Sequence, residues 1–279
     1  MNYANLRRIV WARQLIEALR KSLVYSDIAN TTYEGEARIG GTVKITQIGE
    51  VAVTDYVVGT DMSHETLDDA QLSLNIDQKK YIAFTVDETD AIFVQNDIVS
   101  QGISRGAYKV ADGIDQFIAG KYTEAGLAYG TATSPKSSSS GTIYQHLAEF
   151  SEVMDEGNVE KADRWIVVSP WVMTKLSLAG YSYAQPNIDI FRNGYIGPVA
   201  GFSRVYVSNN VQASATGVSA IMASSGREAI AYAGAISGNI RILPAEKQRA
   251  DNVDGVWVYG AKVVRPDMLA VAHLSETAN

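Results

Sequence analysis

The sequence predicts a mixed α+β protein, and three observations carry that expectation. Apolar residues recur at helical spacing over 96–124 and again from Thr142. A β-type alternation marks 42–58 and 81–86, and extended strand patterns such as "GVWVYGAKVV" close the chain. No period of about 20 to 50 residues signals a repeat array. With 279 residues, 46% of them apolar and 20% charged, the chain is long enough for one large domain or two modest ones with a real core.

Taken in order, the first element is a helix over roughly Asn5 to Val24, where Leu6, Ile9, Val10, Leu15, Ile16, Leu19 and Leu23 alternate with basic residues. Such an amphipathic helix needs a surface to lie on. From Gly40 to Asn75 the pattern becomes β-type, around "TVKITQIGEVAVTDYVV", with Gly40, Gly41, Gly49 and Gly59 as punctuation. A two-stranded excursion is marginal alone in water, so this chain or another must cover it. In the strand that follows, Ile82, Phe84 and Val86 share one face while Tyr81, Ala83 and Thr85 share the other.

The acidic turn "DETD" leads into a long helix expected over Asn96 to Glu124, about 40 Å at a rise of about 1.5 Å per residue. Val99, Ile103, Val110, Ile114, Phe117 and Ile118 form its apolar stripe. Gly102, Gly106, Gly113 and Gly120 line up beside that stripe, although each costs a helix about 0.8 to 1 kcal/mol against Ala. A line of missing side chains admits another backbone, from a strand of the same subunit in the plainer reading, or from a neighbouring subunit.

"SPKSSSSG", Ser134 to Gly141, has hinge-like composition and is taken as a subdomain boundary. A helix follows from Thr142, where "TIYQ" fits a capping box. "RWIVV" reads as a buried strand, and "SPWVMTKLSLAG" as a helix with Ser169 as N-cap, Pro170 at its first position and Gly180 as terminator. The stretch from Gln185 to Gly201 reads as a long ordered loop, and "SRVYVS" and "EAIAYAG" as strands.

Composition excludes several functions. The net charge of -7 argues against a protein whose main task is neutralising phosphates. The absence of Cys removes disulfides, thiolate metal sites and thiol nucleophiles. No stretch has the signature of a signal peptide or a membrane span, and the chain reads as soluble and made in a cytoplasm. His64, His146 and His273 lack metal-ligand spacing and read as surface or hydrogen-bonded core residues. There is no nucleophile elbow, no phosphate loop and no calcium-loop spacing around "DETD", while the sequon at Asn30 matters only in a secretory pathway. No catalytic, cofactor or metal site is expected.

The charge is unevenly placed. Arg7, Arg8, Arg13, Arg20 and Lys21 face only Glu17 near the start, whereas nine acids between Asp61 and Asp97, Asp68 and Asp69 among them, face only Lys79 and Lys80. The two segments suit attraction between chains, or two separately solvated faces.

The ordered set is recognisable. A basic N-terminal helix, a β-type excursion, "LNIDQKKYIAFTVDETD", a glycine-marked long helix, "RWIVVSPWVMTKL" and a terminal "GVWVYGAKVVRPDMLAVAH" together resemble the major capsid proteins of tailed bacteriophages, with their Hong Kong 97-type fold. The resemblance covers almost the whole chain. It implies an N-arm at 1–39, an extended loop (E-loop) at 40–75 that lies over a neighbouring subunit, and a peripheral domain with a spine helix at 76–136. An axial domain at 137–239 and a return to the peripheral domain at 240–279 complete the implied layout.

The function implied is self-assembly into hexamers and pentamers that form an icosahedral head around phage DNA, held without sequence-specific binding and without a membrane. The implied location is the virion, with assembly in the host cytoplasm. A scaffolding protein, if used, is implied to be separate, because Met1 stands directly before the arm-like helix; portal and decoration proteins are further partners the family implies. Candidate inter-subunit contacts are Arg7, Arg8, Arg13, Lys79, Lys80, Asp68 and Asp69, with the two lysines either meeting carboxylates of an adjacent subunit or solvated at a strand end. The rival readings are an encapsulin-like compartment that packs enzymes, and an enzyme with a scattered site built around His146 or His273.

Overall fold

A computed structural model describes residues 24–34, 41–48, 55, 59, 69–87, 98–179, 199–213, 217–244 and 250–277. The helix expected over Asn5 to Val24 lies outside these, apart from Val24, as do the "DETD" turn beyond Asp87 and most of the loop from Gln185 to Gly201. The chain enters through a short helix α1 (Tyr25–Ile28) and a 3-10 turn at Thr32–Glu34. Strands β1 (Thr42–Ile48) and β2 (Asp69–Asn75) pair antiparallel, and β3 (Gln78–Asp87) follows.

Helix α2 (Ile98–Ala119) then runs for 22 residues, about 33 Å at the α-helical rise. It is shorter than the sequence expectation, because the chain tightens at Gly120 into a 3-10 helix that continues to Glu124. Its stripe is buried through Val110, Ile114 and Ile118, with Phe117 half-buried. Strands β4 (Leu127–Tyr129) and β5 (Lys136–Ser138), helix α3 (Ile143–Glu156), strand β6 (Arg164–Val168), helix α4 (Pro170–Leu178) and strands β7 (Arg204–Val207) and β8 (Val218–Ser225) come next. The chain ends in β9 (Ile230–Pro244), β10 (Ala250–Val263) and β11 (Ala270–Glu276).

Besides the β1–β2 ribbon the described residues form two sheets. A three-stranded sheet has the order β3-β10-β9, all antiparallel. A six-stranded sheet has the order β4-β11-β8-β6-β7, with β5 also pairing with β11. Helices lie against antiparallel and mixed strands, so the α+β class stands. β6 is buried along its entire length, as its unbroken apolar run requires. The main core joins α2 and α3 to β6, β8 and β11 through Ile118, Phe150, Trp165, Ile221 and Leu274.

Three local expectations come out differently. The serine run is no open linker: Lys136–Ser138 forms β5, parallel to β11, and Ser138 is fully buried. Helix α3 does start after Thr142, but without a capping box, since the Thr142 hydroxyl accepts from the Ser139 N–H at 3.0 Å and Gln145 turns forward to Glu149. At α4 the Ser169 side chain makes no cap; its backbone carbonyl accepts from Val172 and Met173 instead. Within 240–279, β10 lies beside β3 whereas β11 sits inside the six-stranded sheet.

Candidate assembly surface

The β1–β2 ribbon is covered by its own chain. Val43, Ile45, Leu74 and Ile76 are buried against Ala231 and Ala233 of β9, with Tyr33 and Val258 packed around them. Gly260 of β10 makes that approach possible, because a Cβ there would lie 2.1 Å from the carbonyl oxygen of Asn75. The Ile76 N–H closes the base by donating to Gly41 O at 2.9 Å. The burial that the sequence left open between this chain and another is thus intramolecular at the ribbon.

Beyond the ribbon, β3 carries its two faces to different places. Ile82 and Phe84 point at α2, where Gly106 and Gly102 leave room: a Cβ at Gly106 would meet the Ile82 side chain at 2.6 Å, and one at Gly102 the Phe84 ring at 3.1 Å. The plainer reading of the glycine row therefore holds for these two. Gly113 and Gly120 face open space among the described residues. The opposite face of β3 is outward, and Tyr81 there is 77% exposed beside its cross-strand partner Val256, itself 37% exposed. Among the described residues, Tyr108 on α2, Leu178 at the end of α4 and Leu243 on β9 are the other large apolar side chains left in solvent.

Of the candidate contact residues, Lys79 and Lys80 are exposed on β3, paired in register with Val258 and Trp257, and among the described residues neither makes an ion pair. Asp69 opens β2, where its backbone pairs with Ile48. Arg7, Arg8, Arg13 and Asp68 lie outside the described residues.

The sequence reading missed the polar joint at the start of the fold. Asp115 on α2 accepts backbone N–H bonds from Val24 at 3.0 Å and Tyr25 at 3.2 Å, and is 2% exposed. Burial pushes its carboxyl up to about 6 against the pull of those two donors, and it drives the buried Tyr25 hydroxyl upward as well. Asn30 adds a second tie: its N–H donates to Ile230 O, and its carbonyl accepts from Tyr232 N–H. One signal was available, an acid set within the buried row of Ala111, Ile114 and Ile118.

The nearest approach to a reactive cluster is Tyr129, His146 and Glu149. The Tyr129 hydroxyl bonds to the Glu149 carboxylate and lies 2.8 Å from His146 Nδ1, while His146 Nε2 donates to Ser137 O at 3.2 Å. Burial and the carboxylate push the tyrosine hydroxyl upward, away from any role as a base, and the hydrogen bond from Tyr129 holds Glu149 below the usual carboxylate range. The cluster clamps α3 onto β4 and β5. His273 sits half-buried in β11, where burial lowers its affinity for a proton. Among the described residues no group of three His, Asp or Glu is placed to hold a metal ion, and no helix is long and apolar enough to cross a membrane.

A family model described as phage capsid protein matches residues 71–272. The chain belongs to the phage capsid protein family. A solved structure from Mycobacterium phage Che8 is similar to this capsid chain at a TM-score of 0.72 and 27% identity, covering 90% of each chain. The capsid of cyanophage P-SCSP1u gives a TM-score of 0.70 at 16% identity over 92% of this chain and 89% of that one. The holo-SrpI encapsulin complex from Synechococcus elongatus PCC 7942 gives 0.56 at 12% identity, covering 87% of each, a likeness of fold alone. No curated protein matches the sequence. The chain is a structural major capsid protein of tailed phages with the Hong Kong 97-type fold, and its place is the virion shell.

Proposed function

We propose that this capsid chain forms hexameric and pentameric rings that close an icosahedral head around genomic DNA, assembling in the host cytoplasm. The observation that carries the reading is the family match across 71–272, which spans the loop's returning strand, the long helix and nearly all of both sheets. In this reading the three-stranded sheet and α2 make the peripheral body, and the six-stranded sheet with α3 and α4 makes the axial body. Residues 1–39 act as the arm and 40–75 as the extended loop. Scaffolding, portal and decoration proteins are its expected partners.

Mechanism here is geometry with many shared contacts. A standard interface buries about 1,600 Å² in total, and apolar burial is worth about 25 cal/mol per Å² before association entropy takes back much of it. Individual contacts can then be weak, since each subunit touches several neighbours and closure adds their effects. The outward face of β3 supplies apolar surface in Tyr81 and Val256, with Lys79 alongside as a cation for a neighbour's carboxylate. Arg7, Arg8 and Arg13 of one arm, set against Asp68 and Asp69 of another subunit's loop, form the second proposed contact.

Electron microscopy of the purified protein, with a nucleic-acid assay on particles taken from infected cells, tests the reading. Closed icosahedral particles that contain DNA are expected. A monomer that never forms cages would end it, and cages loaded with a protein cargo instead of DNA would favour the encapsulin-like alternative, which the shared fold keeps in view.

A further inference from the structure

The solvent face of the long helix has a charge opposite to that of the whole chain. Ser104, Arg105, Tyr108 and Lys109 stand exposed on α2 at spacings of three and four residues, which puts them side by side. No Asp or Glu occurs between Ile98 and Ala111, although the chain carries a net charge of -7. Among the described residues neither Arg105 nor Lys109 makes an ion pair. Like charges four residues apart oppose a helix, so this pair does nothing for the fold itself. The first acid along the helix, Asp112, accepts from Asn210 Nδ2 at 2.9 Å and Gln116 Nε2 at 3.3 Å. Behind the face, packing is complete: Ala107, Val110 and Ala111 are buried, while Ile82 and Phe84 fill the space at Gly106 and Gly102. Tyr81 leaves β3 on the side away from α2, so the two exposed surfaces do not compete.

We propose that this face of α2 binds the phosphate backbone of duplex DNA, the packaged genome in the shell reading on which the inference rests. Duplex DNA carries one negative charge per about 1.7 Å of its axis, so two cations about 6 Å apart find phosphates at any position along it. Arg105 offers a fork to one phosphate and Lys109 a point charge to another, while the Ser104 and Tyr108 hydroxyls can donate to the same oxygens. Backbone contacts of this kind carry no sequence information, which suits a genome lying in any register. Two cations per subunit bind weakly, and many subunits around one polymer add their effects. A neighbour's carboxylates are the other anions that fit such a pair. The face holds no apolar residue besides Tyr108, however, whereas the centre of a protein interface is depleted of charge.

Lysine footprinting tests the contact: acetylation rates of the purified full-length protein are read by mass spectrometry with and without a random-sequence DNA duplex. Lys109 is expected to be protected at about 50 mM salt, and the affinity drawn from that protection to fall about tenfold by about 200 mM, as two neutralised phosphates require. Arg105→Gln should reduce that fall to about three- to fourfold. Arg227→Gln, a change at an exposed position elsewhere, should leave it as it is, and Lys161, whose side chain is 77% exposed, should stay reactive throughout. In heads that hold DNA, Lys109 should react more slowly than in the same heads emptied of it. Equal rates at Lys109 with and without the duplex, or a salt dependence that Arg105→Gln leaves unchanged, overturns the proposal. So does a Lys109 equally slow in filled and empty heads, which gives the face to a neighbouring subunit. Should Arg105→Gln not fold, the wild-type protection decides. Cages found empty of DNA, with Lys109 still protected on the duplex, would fail the shell reading and leave the contact standing; DNA-filled heads with an unprotected Lys109 would do the reverse.

Discussion

Arg164 is 1% exposed, a position an arginine can hold only when its N–H groups find acceptors. Its Nε donates to Glu160 O at 2.9 Å, its Nη1 reaches Ser151 Oγ at 3.4 Å and the Asp155 carboxylate at 2.7 Å, and its Nη2 donates to Val159 O. The side chain thereby ties the end of α3, the turn after it and the start of β6 into one unit. Lys161 foremost, with Arg164, holds Asp155 below the usual aspartate range. A depressed carboxyl stabilises above its ordinary value, so this contribution fades as pH falls through the acid range. Arg164→Ala is expected to cost roughly 3 to 5 kcal/mol, read as a lower urea midpoint. Arg164→Lys should recover only part of that loss, because one ammonium lacks the fork that serves four acceptors.

At the scale of elements, the glycines of α2 separate two causes that a sequence cannot. Gly106→Ala replaces a poor helix former but drives a methyl into Ile82, so little or no stability should be gained. Gly113→Ala meets nothing within 4 Å and should stabilise the isolated subunit by about 0.8 to 1 kcal/mol in chemical denaturation. If Gly113→Ala also impairs shell formation, a neighbour's backbone passes there in the particle. Gly260→Ala sets a methyl against the Asn75 carbonyl, a backbone atom that cannot turn aside, and should cost roughly 1 to 3 kcal/mol while loosening the loop from β10.

These contrasts mark what was legible beforehand. The glycine row announced a close approach, and the alternation of β3 announced its two faces, because both are local patterns. The serine run misled because composition reports flexibility, whereas β5 exists through pairing with β11, from Lys136 to Leu274, a partner no local window contains. Asp115 went unread for a related reason: its meaning comes from two N–H groups about ninety residues away.

For the whole molecule, the division of burial matters most. The body covers the β1–β2 ribbon, so the fold of the described body does not require a neighbour there, and among the described residues the outward face of β3 keeps apolar surface in solvent. Deleting residues 1–23 should leave the thermal unfolding of the body nearly unchanged while lowering the yield of closed particles, measured by sedimentation. Lys79→Glu with Lys80→Glu should likewise spare the body and change both the yield and its salt dependence; unaltered assembly would remove these lysines from the contact set.

β11 carries a consequence of its own. It lies between β8 and the pair β4 and β5, yet it follows all of them in the chain. On a ribosome, which adds about 5 to 20 residues per second, the earlier strands emerge and wait with a gap down the middle of their sheet. Only when the segment through Glu276 is free can it slide into that gap and zip both halves together. A nascent chain thus lacks a finished sheet until β11 has emerged.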